Sequence, residues 1–258
     1  MALPDLALHR STASPWRVVE AELDAWATAG RVARLWWRDD DAVAPSSALD
    51  RLLALAGDAP LALAVIPQGI DPELARRLDG NPNITVAQHG IAHENHAPAG
   101  AKRVELMSPQ AIPGLTEGAA RLADLFGAQN LPVLVPPWNR IAPELVPLLT
   151  GCGFTGLSSF GPRRRPLAAR GLAQVNTHVD PVDWTRRRSR DVADFATGLA
   201  DTLALQRLGQ MDAGEPLGLL THHRLDDRGI EGMIADLASI VANHPAACWI
   251  GLAEAMAG

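Results

Sequence analysis

Cysteine is scarce in this chain of 258 residues. Cys152 and Cys248 are the only two, too few and too isolated for a disulfide framework or a cysteine-based zinc site, and both suit a reducing compartment. Lysine is scarcer still. Lys102 stands alone and arginine carries the remaining basic charge. Basic residues are outnumbered overall, 23 Lys and Arg against 29 Asp and Glu, for a formal charge of −6. That balance argues against nucleic acid or an anionic membrane surface as the main partner. No apolar run approaches the length of a membrane span. Met1 to Arg10 lacks a basic region followed by an apolar run of signal length, so export is not expected and a cytoplasmic location is. Internal repeats, low-complexity segments and a clear interdomain linker are also lacking. One domain over residues 1–258 is expected, with residues 1–30 as a helical extension.

Apolar residues make up 47% of the chain, enough for a sizeable core. Short apolar runs of strand length recur at Leu35–Trp37, Leu61–Ile66, Ile84–Ala87, Val133–Val135, Gly153–Leu157, Leu172–Val175, Leu217–Leu220 and Cys248–Ile250. Between them, Leu and Ala fall at helical spacing over Ser47–Ala56, Glu73–Leu78, Leu115–Phe126, Pro143–Leu149, Val192–Leu208 and Ile230–Val241. Alternating strand and helix means parallel strands joined by crossover helices. Seven or eight such units predict an α/β fold of the (β/α) barrel type, with a doubly wound open sheet as the runner-up. Ser14–Ala29 reads as an extra helix, with Ser14 as cap and Pro15 at its first position. His93–Pro109 and Pro162–Arg170 read as long loops. Arg163-Arg164-Arg165 in the second is a solvated rim, or else a patch that attracts an anionic substrate.

The chemistry-bearing residues gather at the ends of the apolar runs, where such barrels keep their active sites. Asp39-Asp40-Asp41 follows Leu35-Trp36-Trp37, and three adjacent carboxylates need compensation if buried. Strand alternation would send Asp39 and Asp41 one way and Asp40 the other. His89 and His93 follow Ile84–Ala87. One helical turn there would present both rings on one face, as a divalent cation requires, with His96 able to replace either. Two imidazoles and a carboxylate leave positions open for water and substrate, which points to metal-dependent hydrolysis. Pro136-Pro137-Trp138-Asn139 is a rigid turn that holds Trp138 and Asn139 in place. Asp180-Pro181-Val182-Asp183-Trp184 pairs acid with aromatic, although Asp183 could be a helix cap. His222, after Leu217–Leu220, is a candidate proton donor.

In this motif order the chain resembles the polysaccharide deacetylases of the carbohydrate esterase 4 type. Arg38-Asp39-Asp40-Asp41-Ala42 looks like that family's Thr-Phe-Asp-Asp-Gly, and His89-Gly90-Ile91-Ala92-His93 is similar to its His-Ser/Thr-x-x-His. Asp180 to Trp184 matches Asp-x-x-Asp-Trp, and Leu219-Leu220-Thr221-His222 looks like Leu-x-Leu-His. The resemblance implies a distorted (β/α) barrel of seven or eight units and a deacetylase acting on a sugar-like or small amide substrate. It implies a divalent ion, zinc with cobalt or nickel as alternatives, on Asp41, His89 and His93. Asp40 would be the base and His222 the acid tuned by Asp183, with Asp39 and Asp40 as an alternative register for base and ligand. Trp138, Asn139, Arg140 and Trp184 would contact substrate, with a backbone N–H near Trp138 holding the oxyanion. The family's Arg-x-Pro-x-Gly is Val135-Pro136-Pro137-Trp138-Asn139 here, so the arginine that steadies the base is missing from its usual place. Arg38 and Arg140 are the candidates to replace it.

Two rival readings remain. Asp39-x-Asp41 also fits an aspartyl-phosphate phosphatase with Asp39 as nucleophile, Lys102 at the phosphate and Asp226-Asp227 as the late acidic pair. The missing arginine would also suit an inactive sugar-binding barrel.

Overall fold

The computed structural model describes residues 14–257. Helix α1 (Arg17–Thr28) precedes β1 (Ala33–Ala42), α2 (Ser47–Ala56), β2 (Leu61–Val65), α3 (Glu73–Leu78) and β3 (Ile84–His89). There follow α4 (Ile112–Phe126), β4 (Asn130–Val135), β5 (Gly156–Leu157), β6 (Leu167–Ala169) and β7 (Leu172–Gln174). The chain ends with β8 (Val182–Asp183), β9 (Arg188–Ser189), α5 (Val192–Arg207), β10 (Leu217–Thr221), α6 (Arg228–Asn243), β11 (Ala247–Trp249) and α7 (Leu252–Ala257). The main sheet runs β10-β1-β2-β3-β4-β5-β7-β6, with β11 also paired to β1. Every pairing in it is parallel except β6 with β7, and β8 with β9 forms a separate antiparallel ribbon. The α/β class with a parallel sheet and crossover helices is therefore as expected. No helix among the described residues is long and apolar enough to cross a membrane.

The strands sort their side chains by size. Leu35, Trp37, Leu61, Leu63, Val65 and Val86 face outward into the cluster under the helices, with Leu49, Leu52, Leu74 and Leu237. Ala62, Ala64 and Ala87 face inward, where Trp36 fills the space they leave, beside Val133, Val135, Val175 and Ile250. A large residue on one strand opposed by small ones on its neighbours is how a tightly curved sheet reaches interior packing density. The Trp36 indole is fully buried and donates to Asn176 O at 3.2 Å, across the interior.

The curve is closed by a bridge rather than a full strand. Beyond β7 the chain meets Phe160 at Thr177 and Leu219 of β10 at Val179. His178 N–H donates to Gly218 O at 2.6 Å and Leu220 N–H to Val179 O at 2.9 Å. Gly218 is required there, because a Cβ would lie 2.6 Å from both Asn176 O and Trp36 Nε1. Seven parallel positions thus ring a packed interior, and the short closure is the distortion.

Some segments depart from expectation. The first helix begins at Arg17, with Trp16 at the cap position and no side-chain cap; Ser14 Oγ accepts instead from Trp16 N–H. Pro143–Leu149 is replaced by a 3₁₀ segment over Val146–Cys152. The Pro162–Arg170 loop contains β6, and Arg163 is buried rather than solvated: Nε donates to Asp212 and N–H to Glu215.

Candidate metal centre

Strand β1 delivers three carboxylates to three destinations. Arg38 and Asp40, two apart, lie on the inner face with Trp36, as the pleat dictates. Arg38 grips Asp40 with Nε to Oδ1 at 2.8 Å and NH2 to Oδ2 at 3.1 Å. Ser158 Oγ, Ser159 O and Asn139 Oδ1 accept its remaining bonds, and its side chain is completely buried. Arg140 is exposed and donates to Arg103 O. Arg38, not Arg140, therefore sits on Asp40. Asp39 points outward, where its carboxylate accepts from Thr221 Oγ1 at 2.6 Å and His223 N–H at 2.9 Å and pairs with the His223 ring. The alternation expected for Asp41 fails. The β1–β2 register shifts between Asp39 and Ala42, and Asp41 adopts φ +74°. That kink turns its carboxylate toward the end of β3.

No helical turn follows β3. His89 is its last residue, and the chain then bends through positive φ at Gly90 and at His93, both +59°. A buried carboxylate, Glu105, templates the bend by accepting from the N–H groups of Ile91 (2.9 Å), Ala92 (2.8 Å) and Glu94 (3.1 Å). Gly90 is sterically obligatory: a Cβ would meet Glu105 Oε2 at 2.1 Å and Pro137 Cγ at 2.4 Å. The bend brings the rings of His89 and His93 together, tilted at 44° with centroids 5.1 Å apart, and Trp138 meets His93 at 4.4 Å and 55°. Trp138 and Asn139 both hold positive φ (+54° and +56°). Such consecutive strained residues persist where surrounding contacts over-determine them. His96 is drawn away, with its Nδ1 on Glu105 O.

Asp41 Oδ1 lies 3.2 Å from His89 Nε2 and 3.3 Å from His93 Nε2. These three residues form the only group of metal-competent donors of this kind among the described residues. Asp41 Oδ1 is buried and has no hydrogen-bond partner. His89 Nδ1 lies 3.0 Å from Val135 O, an acceptor, so in the neutral ring its N–H points there and leaves the lone pair on Nε2, the usual support for a ligating histidine. Burial raises the Asp41 carboxyl, but His89, His222 and His93 hold it well below the ordinary carboxylate range. Burial lowers the His93 imidazole, keeping it neutral as a ligand must be. Burial also opposes charge on His89, yet Asp40 and Asp41 raise it above its ordinary value. The carboxylates thus favour positive charge at this point, and the donor types suit a divalent ion.

His222, just past β10, leaves its Nδ1 buried and without a hydrogen-bond partner. The Trp184 ring meets the His222 ring edge-on at 4.6 Å. Asp183 makes no hydrogen bond or ion pair with His222 among the described residues. Its carboxylate accepts from Thr185 N–H and Arg186 N–H and pairs with the Arg186 guanidinium, because the β8–β9 turn directs it to solvent. The carboxylate beside His222 is that of Asp180. It accepts from Val182 N–H and Trp184 Nε1, both at 2.8 Å. Burial raises the Asp180 carboxyl, against the opposing pull of His222 and these donors. Glu105 and Ser158 are further participants that no sequence motif marks.

The phosphatase reading fails on geometry. Asp39 is fully buried and committed to Thr221 and His223, so it cannot attack a substrate. Lys102 is exposed in the long loop, Asp226 pairs with Arg51, and Asp227 caps α6.

No protein-family profile and no curated protein sequence matches the chain. Solved structures do. A Mycobacterium smegmatis protein described as a polysaccharide deacetylase superposes with a TM-score of 0.59 at 16% identity, covering 88% of this chain and 90% of that one. A family 4 carbohydrate esterase from Streptomyces lividans, in complex with acetate, gives 0.54 at 17% identity over 84% and 91%. A peptidoglycan deacetylase from Bacillus subtilis gives 0.51 at 14% identity over 87% and 90%. With its parallel strands curved around one packed interior, the chain has the fold of the family 4 carbohydrate esterase and polysaccharide deacetylase structures.

Proposed function

We propose that the chain is a metal-dependent amide hydrolase that removes an N-acetyl or similar acyl group from a sugar-like or small amide substrate. The observation that carries this is the unpartnered Asp41 oxygen between two imidazoles, beside a separately clamped Asp40. Asp41, His89 and His93 would hold the ion, with zinc as the first expectation and cobalt or nickel also compatible. When bound, such an ion polarises a carbonyl and makes water more acidic.

Asp40 takes the proton of the attacking water. Its bidentate pairing with Arg38 fixes the direction of the carboxylate, which is the work of the arginine missing from the third motif. His222 donates a proton to the departing amine, with Asp180 supplying the neighbouring negative charge and Trp184 fixing the ring edge-on. The Trp138 backbone, held by its rigid turn, offers an N–H to the developing oxyanion. The names of the structural neighbours, several of them deacetylases, agree with this chemistry. An inactive sugar-binding barrel is disfavoured because Asp40 has its arginine.

Acetate and phosphate release from N-acetylated and phosphorylated sugars, with and without added divalent ion, test the proposal. Ion-dependent acetate release without phosphate release is expected. Release of neither, or of phosphate alone, contradicts it.

A further inference from the structure

The protein carries more acid than base, yet one groove reverses the balance. An open cleft of about 740 Å³ runs from Asn139 and Ser159 past Phe160 to Arg140, Arg164 and Arg165, and no acidic residue lines it. A second cleft of about 710 Å³ continues it, sharing Arg165 and adding Arg170, again without an acid. Most other arginines with charged contacts are neutralised: Arg51, Arg76, Arg77, Arg186 and Arg207 each pair with a carboxylate. Those of the groove are not. Arg140 is oriented by Arg103 O and Arg165 by Ala168 O, both uncharged, while Arg164 has no hydrogen bond or ion pair among the described residues. Neighbouring Arg163 is the contrast, turned inward onto Asp212. Three guanidiniums thus line one cleft with no carboxylate on its wall, and their planar forks fit phosphate or carboxylate.

The groove also reaches the chemistry. Asn139 and Ser159 on its wall accept hydrogen bonds from Arg38, which grips Asp40, and Trp138 beside Asn139 packs against His93. Phe160, 45% exposed, offers an apolar face where a sugar ring could lie.

We infer that this arginine-lined groove selects an anionic substrate, an acylated sugar-like molecule that bears a phosphate or carboxylate away from its acyl group. The inference rests on the proposed function for what reacts, but not for what binds. Calorimetric titration of the full chain with N-acetylglucosamine, N-acetylglucosamine 6-phosphate and N-acetylmuramic acid tests it and separates the two anion types. At least one charged probe should bind about tenfold tighter than the neutral sugar, with the advantage shrinking as salt rises. Arg164→Gln/Arg165→Gln should erase the advantage while leaving the thermal midpoint in place. Equal affinities, no binding of either charged probe at millimolar concentration, or a preference that survives both added salt and the double variant would overturn it. Acetate release from the same probes keeps the two claims apart. Release indifferent to charge, with equal affinities, sinks the groove and leaves the hydrolase. Charge-selective binding without any release leaves the groove and sinks the hydrolase.

Discussion

Replacing Arg38 by Met removes a side chain with no solvent exposure and strands its partner, because the Asp40 side chain is itself only 3% exposed. Uncompensated, a buried carboxylate of this kind costs about 3–5 kcal/mol. Asn139 Oδ1 and Ser158 Oγ lose their donor at the same time, adding about 1 kcal/mol each unless they rotate to new partners. At roughly 2–4 °C per kcal/mol for a chain of this size, the ion-pair term alone lowers the melting midpoint by roughly 6–20 °C. Arg38→Lys should recover only part of the loss, since an ammonium cannot supply the two-point contact or reach all the acceptors. Arg38→Met/Asp40→Leu is the decisive companion. If the single variant fails because a charge is left unpaired, removing both charges restores most of the stability while activity stays abolished. Calorimetric or circular-dichroism melting of the parent and three variants gives the comparison. An Arg38→Met midpoint within about 2 °C of the parent, or a double variant no better than the single, would show that Arg38 is not what offsets the burial of Asp40.

The activity–pH profile should report on Asp180 rather than Asp183. Asp180→Asn removes the negative charge beside His222, which disfavours the protonated acid and moves the alkaline limb to lower pH, whereas Asp183→Asn leaves that limb in place; the reverse pattern would reinstate Asp183. Gly90→Ala should cost the protein both stability and divalent-ion affinity, because its Cβ would strike Glu105 and Pro137 and move His89 and His93. Gly100→Ala, at similarly positive φ (+82°) but with nothing within 4 Å, should cost only backbone strain, about 1 kcal/mol. Equal midpoints and ion affinities for the two variants would show that the clash is relieved without moving the site.

Periodicity made much of the fold legible. α2 and α3 run over the segments their Leu and Ala spacing marks, with Ser46 Oγ capping α2 by accepting from Leu49 N–H. The strands of the ring grow from apolar runs in the expected order. What escaped is short or depends on tertiary contact: β6, the β8–β9 ribbon, α7 and the single-bridge closure at Val179 are too brief to carry a period. At the site, the gathering of Asp41, His89 and His93 was legible from motif order, but its means was not. Three identical Asp residues give no sign of where the pleat breaks, and the His pair converges through a bend shaped by Glu105, far along a loop without periodicity. Arg38 with Asp40 was partly legible, since residues two apart on a strand share a face. Asp180 over Asp183 was not. Only the turn of the β8–β9 ribbon decides which of the two carboxylates meets His222.

Asp41 as ligand and Asp40 as base are separated most directly by Asp40→Asn, measured for bound divalent ion and acetate release on the same sample. About one ion per chain is expected, as in the parent, with acetate release lower by at least about two powers of ten. Loss of the ion from Asp40→Asn, or acetate release close to that of the parent, would contradict it.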